Sequence, residues 1–450
     1  MQAHQLEIIM KKSALTRRQF MQTSAGLAAA ASSISSGFTI VKAESVRGTA
    51  ANSMVEVGWI GLGGRGTRDA YLLEKTGKAK IVAVGDYFQY RIDNLFKPLA
   101  AGQDPETVQR PALAGFDKKN AFVGVDAYKA VIGSKVDAIL MATPPGFRPE
   151  HFKAAVAAKK HVFMEKPLAV DTWGCHVIDA AGKQATAQKL SVVVGLQRHY
   201  SKAYRRCKEL IDSGAIGDIV MAHSAWDTGD LWPNRRAKPD KTKWPTQMDY
   251  EVEHWYFFKW LSGDHIVEQS IHNLDVINWM VGAFPVRAHG TSSRRFRKDI
   301  GDIHDNFNLV YEYVSGISSN HTCIQVNGVA GDVSETIRGT KGTFTTTAGK
   351  DGTGGARIDG LPKKRGAEPA SIYRYEGADD RHYDQEAAAF IESVLGTGEH
   401  RDDTDYGVKS TFTAILGREA AYRRQTLEWD ALWKAKDKLT MKAVVETERR

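Results

Sequence analysis

Two short stretches hold side chains whose types and spacing could do chemistry. "FMEKPLAV", Phe163 to Val170, sets Glu165, Lys166 and Pro167 directly after a short apolar run. A lysine there is either half of an incidental ion pair on a turn or an ammonium fixed beside a reacting oxygen, where it would steady developing negative charge. "SGDHIVEQSIHNLDVINWMVG" reads as a helix from about His265, with Glu268 and His272 four residues apart on one face. Histidine suits proton transfer because its ordinary pKa lies near neutral pH. Spacing alone leaves it equally a packing residue, and Ile266, Ile271 and Val276 are the better core candidates of that segment.

The elements around these residues decide what they face. "MVEVGWIGLGGRGTRDAYLL" is an apolar strand, a glycine turn and a helix start. Gly61-x-Gly63-x-x-Gly66 fits a dinucleotide fingerprint: a tight turn, a close backbone approach to pyrophosphate, and close helix packing. Phosphate charge would sit on the helix N-terminus. A second strand, "AKIVAVGD", ends at Asp86, twenty residues after Gly66. A carboxylate there accepts both ribose hydroxyls and repels a 2′-phosphate, favouring NAD over NADP.

"VDAILMAT", "HVFMEKP" and "SVVVGLQ" continue as apolar strands separated by helices. Such runs belong to a parallel sheet covered on both faces, where ligands bind at the strands' carboxyl ends. Thr143, Pro144 and His151 of "ATPPGFRPEH", and Glu165 and Lys166, fall at such ends. "QRHY", Gln197 to Tyr200, ends the last strand, so Arg198, His199 and Tyr200 offer donors to a cleft, or else salt bridges between domains.

The order "GLGGRG", "VGD", "TPPGFRPEHFKAAVAAKKHVFMEKPLA", "GLQRHY", "SETIRGTKGTF" and "TFTAILGREAAYRR" resembles the glucose–fructose oxidoreductase/inositol dehydrogenase family, Gfo/Idh/MocA, from about Met54 to the end. The resemblance implies an α/β chain: an N-terminal Rossmann dinucleotide-binding domain and a C-terminal α+β domain with a large open, mostly antiparallel sheet. It also implies a homo-oligomer, dimer or tetramer. Lys166 would lie beside the nicotinamide and the reacting hydroxyl, with His272 as proton acceptor. Glu268 stands where the commonest family pattern has Asp, so its role is open between orienting the imidazole and reaching substrate. The cofactor cradle would be Gly61, Gly63, Gly64, Arg65, Gly66, Asp86, Thr143, Pro144, His151, Glu165 and Lys166. Arg198, His199 and Tyr200 would meet substrate, and Asp275, on the same helix as His272, would either join them or serve capping or packing.

The implied activity is an NAD-dependent carbohydrate oxidoreductase, hydride passing to a tightly held nicotinamide. Two alternatives remain: a redox-neutral NAD-dependent glycosidase, whose extra elimination base would be Tyr200, His199 or His254, and a low-turnover carbohydrate-binding protein. Trp226, Trp232, Trp244, Trp255 and Trp260 crowd one insertion that is either sugar-stacking or a small cluster stapling a long loop.

The remaining composition is restrictive. The 450 residues, 42% apolar and 25% charged, suit a water-soluble chain of two domains. Of the net charge of +8, residues 1–43 carry five basic side chains and one acid, leaving +4 too diffuse for a nucleic acid. Cys175, Cys207 and Cys323 are odd in number and widely spaced, which argues against disulfides and zinc, and no metal is expected. "LTRRQFM" before "SAGLAAAASSISSGFTIVKA" reads as a twin-arginine export leader over residues 1–43, implying a periplasmic protein without a retained membrane anchor. The domains are expected at 54–200 and 201–435.

Overall fold

The computed structural model describes residues 54–100, 103, 108–232, 236–346, 355–364, 366–377 and 381–441. The leader segment expected at 1–43 lies outside the described residues. No helix among the described residues is long and apolar enough to cross a membrane.

Six strands form the first sheet: β1 (Val55–Ile60), β2 (Ala79–Asp86), β3 (Ala121–Val123), β4 (Ala138–Met141), β5 (His161–Met164) and β6 (Val192–Val194). They stand in the order 3-2-1-4-5-6, and every neighbouring pair is parallel. Five helices connect them: α1 (Gly64–Lys75), α2 (Gln89–Leu95), α3 (Ala127–Gly133), α4 (Arg148–Ala157) and α5 (Thr172–Ala187). All four residues of β4 are buried, as a strand covered on both faces requires. Strand order reverses between β1 and β4, so the loops after them open a crevice at the carboxyl edge. β3 has three residues, none of them buried, and its sequence carries no periodic signal.

The second sheet has nine strands: β7 (Ile219–Thr228), β8 (Arg287–Ser293), β9 (Asn306–Glu312), β10 (Ser318–Gln325), β11 (Asp332–Gly339), β12 (Gly342–Thr345), β13 (Arg357–Gly360), β14 (Ser371–Arg374) and β15 (Leu427–Glu428). Their order is 14-13-12-11-7-10-9-8-15. Only the central β7–β10 pair is parallel. In β9, Phe307, Leu309 and Tyr311 point into the core while Asn308 and Val310 do not, the period-two pattern of a sheet covered on one face.

The covering helices are α6 (Lys202–Asp212), α7 (Gln247–Glu253), α8 (Lys259–Ser262), α9 (His265–Glu268), α10 (Ile271–Val281), α11 (His382–Leu395), α12 (Thr404–Arg423) and α13 (Trp429–Ala435). α12 is buried along most of its length against β8, β9, α5 and α10. The segment expected as one helix from His265 is two: α9 stops at Glu268 and α10 starts at Ile271, with Gln269 and Ser270 breaking the ladder. α11 packs back on the first sheet, Phe390 meeting Phe163 edge-to-face at 5.7 Å. Residues expected within 201–435 therefore complete the core of the N-terminal sheet.

Candidate active site

A cavity of about 950 Å³ lies at the carboxyl edge of the first sheet and is lined from both halves of the fold. At one end is the glycine turn. Gly61 has φ +92°, and a Cβ on it would lie 2.7 Å from the Ala142 backbone. A Cβ on Gly66 would fall 2.2 Å from the Gly61 carbonyl oxygen, so only glycine lets α1 approach β1 this closely. Gly63 and Gly64 have open space where side chains would project, and α1 begins without a side-chain cap or a first-turn acid. First-turn N–H groups that no side chain caps or covers suit a pyrophosphate.

Asp86 closes β2 at the cavity wall. Its carboxylate accepts from the Leu62 N–H at 2.7 Å and the Phe88 N–H at 3.0 Å, which fixes it beside the glycine turn. Burial pushes its pKa up, opposed by those two donors. Its remaining lone pairs are available to a ribose. These residues fit a dinucleotide.

Thr143, Pro144 and His151 line the same cavity. His151 stacks on Tyr128 at 4.1 Å, with Nδ1 3.3 Å from the Thr143 hydroxyl. Burial, aided by Arg148, holds its pKa down at about 3, so it is a neutral wall. Arg148, which the sequence did not mark, is buried and donates from Nε to Thr143 O (2.8 Å) and from Nη1 to Glu165 O (2.8 Å) and Pro167 O (2.5 Å). One guanidinium thus ties two strand-end loops together.

Lys166 sits on that tied turn. Its ammonium donates to the Glu268 backbone carbonyl at 2.6 Å and to Glu268 Oε1 at 3.1 Å, both side chains being buried. The break after α9 explains the first bond, because it leaves the Glu268 carbonyl without a helical donor. Glu165, the neighbouring carboxylate, would be the obvious counter-charge for Lys166. Instead Glu165 turns away, accepting only the Lys166 backbone N–H (3.1 Å) and facing Arg65 at 3.7 Å. Adjacent side chains diverge on leaving a strand, so the ion pair forms across the cavity.

His272 lines the cavity and is 8% exposed; its ring lies 6.0 Å from that of Trp226, nearly parallel, and its Nδ1 has no partner. Burial, then the charges of Lys166 and Arg198, hold its pKa well below the ordinary 6.5. It is a neutral imidazole, able to accept a proton. Glu268 lines the cavity and bonds to Lys166 and Gln269, not to His272.

The substrate candidates divide. Arg198 lines the cavity, its guanidinium bonded to Glu335. His199, Tyr200 and Asp275 do not. His199 Nε2 pairs with Asp275 Oδ2 at 2.8 Å and its ring stacks on Trp279. Asp275 also accepts from Ser410 Oγ (2.7 Å), and Tyr200 is buried with its hydroxyl on Asp403 (3.2 Å). The reason is local: Gln197–Tyr200 is a 3₁₀ turn, which rotates successive side chains by a third of a turn, so Gln197 and Arg198 face inward and the next two cannot. His254 is also behind the wall, bonded to the Tyr250 carbonyl.

Trp226, Trp232 and Trp255 line the cavity, whereas Trp244 and Trp260 do not. Trp232, Trp244 and Trp255 also pack on a satellite core of Tyr250, Tyr256, Phe257, Ile300 and Ile303. The insertion is both a wall and a staple. Gln269 and the Arg381–Asp384 segment also line it; nothing in their sequence marked them. All three cysteines are buried and unpaired, and no metal-binding cluster occurs among the described residues.

Known proteins match this arrangement in two blocks. Residues 55–197 match the model of an oxidoreductase family with an NAD-binding Rossmann fold, and residues 204–345 match the GFO/IDH/MocA C-terminal domain. The inositol 2-dehydrogenase of Pseudomonas syringae pv. syringae (strain B728a) is 30% identical over 197 residues, 44% of this chain and 50% of that protein. That of Ralstonia nicotianae is 29% identical over 264 residues, 58% of this chain and 65% of that protein. The chain spans about half the length of the first of these relatives.

Among solved structures, a levoglucosan dehydrogenase in complex with NADH and L-sorbose superposes with a TM-score of 0.64 at 15% identity, covering 84% of this chain and 99% of that one. An aldose-aldose oxidoreductase from Caulobacter crescentus, complexed with glycerol, gives 0.61 at 17% identity, covering 83% and 99%. At such identity the likeness is one of fold.

Proposed function

The chain belongs to the Gfo/Idh/MocA oxidoreductase family with its NAD-binding Rossmann fold, and from that premise we propose that it oxidises a ring hydroxyl of a sugar or sugar derivative. The observation that carries the reading is one cavity holding an open glycine turn, Asp86, a buried Lys166–Glu268 pair and a neutral His272. Bound NAD supplies the hydride acceptor. His272 takes the hydroxyl proton, and Lys166 steadies negative charge on the same oxygen. Glu268 holds the ammonium in place from across the cavity, and Arg148 holds the turn that carries it. Trp226 offers a flat apolar surface beside the imidazole, as a ring substrate requires.

NAD is preferred to NADP because Asp86 stands where a 2′-phosphate would have to go. Native mass spectrometry of the purified protein is expected to find NAD, and Asp86→Ala to weaken its retention by about 1–3 kcal/mol, the cost of unpaired polar groups. NADP as the dominant bound species would sink this preference.

The redox-neutral glycosidase is the second reading, favoured by the breadth of a cavity with three tryptophans. Against it, the residues considered as its elimination base, Tyr200, His199 and His254, do not line the cavity. Export by the twin-arginine route to the periplasm, with the nucleotide already bound, and assembly as a homo-oligomer complete the proposal, both resting on sequence.

A further inference from the structure

Of the cations on the cavity wall, Lys166 and Arg198 act most strongly on His272, and each has its own buried carboxylate. Lys166 lies 3.1 Å from Glu268 Oε1. Arg198 Nη1 bonds to Glu335 Oε1, the two side chains being 6% and 1% exposed. Glu335 comes from β11, in the other sheet, and has no other evident task than to accept: from Asn273 Nδ2 at 2.6 Å, from the Tyr204 hydroxyl at 3.1 Å, and from Thr346 Oγ1. Such a ring of donors holds the carboxylate against Arg198 whatever enters the cavity. Arg198 Nε is buried without a partner.

We propose that Glu335 sets specificity by cancelling the charge of Arg198, as Glu268 cancels that of Lys166, so that this end of the cavity takes an uncharged polyhydroxylated ring and refuses the same ring bearing a carboxylate. An anionic substituent must shed its water on entering a buried site and needs an unshared cation to offset that loss. Here it meets two pairs of zero net charge, with two glutamates already against the donors it would use. Hydroxyls lose far less on entry, and the Trp226 face takes the ring's apolar side. This inference rests on the reading of the cavity as a carbohydrate site.

The test is binding, measured by calorimetry on the NAD-loaded protein with matched pairs: glucose and glucuronate, galactose and galacturonate, mannose and mannuronate. For any pair bound, the wild type should hold the neutral member at least about tenfold more tightly. Glu335→Gln keeps the size and one acceptor but leaves Arg198 charged, and should move the ratio about tenfold or more towards the acid, the scale of one charge-assisted hydrogen bond. Because that change breaks a buried pair, Glu268→Gln provides the same reading at the other cation. A wild type that binds the uronate as well as its neutral partner overturns the charge cancellation alone, as does a folded Glu335→Gln protein with an unmoved ratio. A wild type that binds no ring of either kind counts against the carbohydrate reading itself.

Discussion

At the scale of single residues, the account rests on Lys166 and His272 as separate instruments on one oxygen. Lys166→Met and His272→Ala should each lower turnover by roughly 10²-fold or more while nucleotide stays bound, as steady-state rates alongside native mass spectra will show. A near-normal His272→Ala rate would move the proton acceptor elsewhere. The pH profile follows from the depressed pKa of His272. A base works when deprotonated, so the acid limb of kcat/KM should lie below pH 6.5, and Lys166→Met, which removes a neighbouring positive charge, should move it upward. Folding obeys the same sign: below pH 6.5 the unfolded chain takes up a proton that the folded site excludes, so acidification costs stability. Lys166 and Asp86 were legible because strand ends and glycine spacing are written in the chain. Arg148 was not, since its partners are backbone carbonyls that no residue type announces. His199 and Tyr200 were misplaced because a 3₁₀ turn and a strand end look alike in four letters, and Asp275 because its partner His199 lies behind the wall.

Elements convert those residues into a site. The gap between α9 and α10 presents a bare carbonyl to Lys166, and an uninterrupted helix would have satisfied it internally. Nothing between His265 and Val281 is glycine or proline, so periodicity alone reads one helix, and no residue type marks the break at Gln269 and Ser270. α11 was likewise invisible as part of the first sheet, because Phe390 and Phe163 are far apart in the chain. The strongest element-scale prediction concerns Arg148. Arg148→Met strands three buried carbonyl contacts and should destabilise the protein by about 3 kcal/mol or more. Melting should fall, and turnover should fall further than melting explains, because the turn bearing Lys166 loosens. Unchanged turnover at a lowered melting temperature would make Arg148 structural only.

For the molecule as a whole, the two sheets were legible from the switch between continuous apolar runs and period-two strands, and the cavity between them from the topology. Which side chains pair at that cavity was not, because Lys166–Glu268 and Arg198–Glu335 join residues more than a hundred positions apart. The central claim is that this cavity takes hydride from the ring carbon that bears the hydroxyl, the hydroxyl proton going to His272, and keeps the hydride on the bound nucleotide. The most direct measurement adds ring sugars and cyclitols singly to the purified, nucleotide-loaded protein and follows the absorbance of reduced nicotinamide. The account predicts one rise, stoichiometric with the chain, reversed by an oxidised acceptor sugar and missing in His272→Ala protein that still holds NAD. Sustained release of nitrophenol from a nitrophenyl glycoside alone, with solvent deuterium entering the neighbouring carbon and no accumulated reduced nicotinamide, would contradict it.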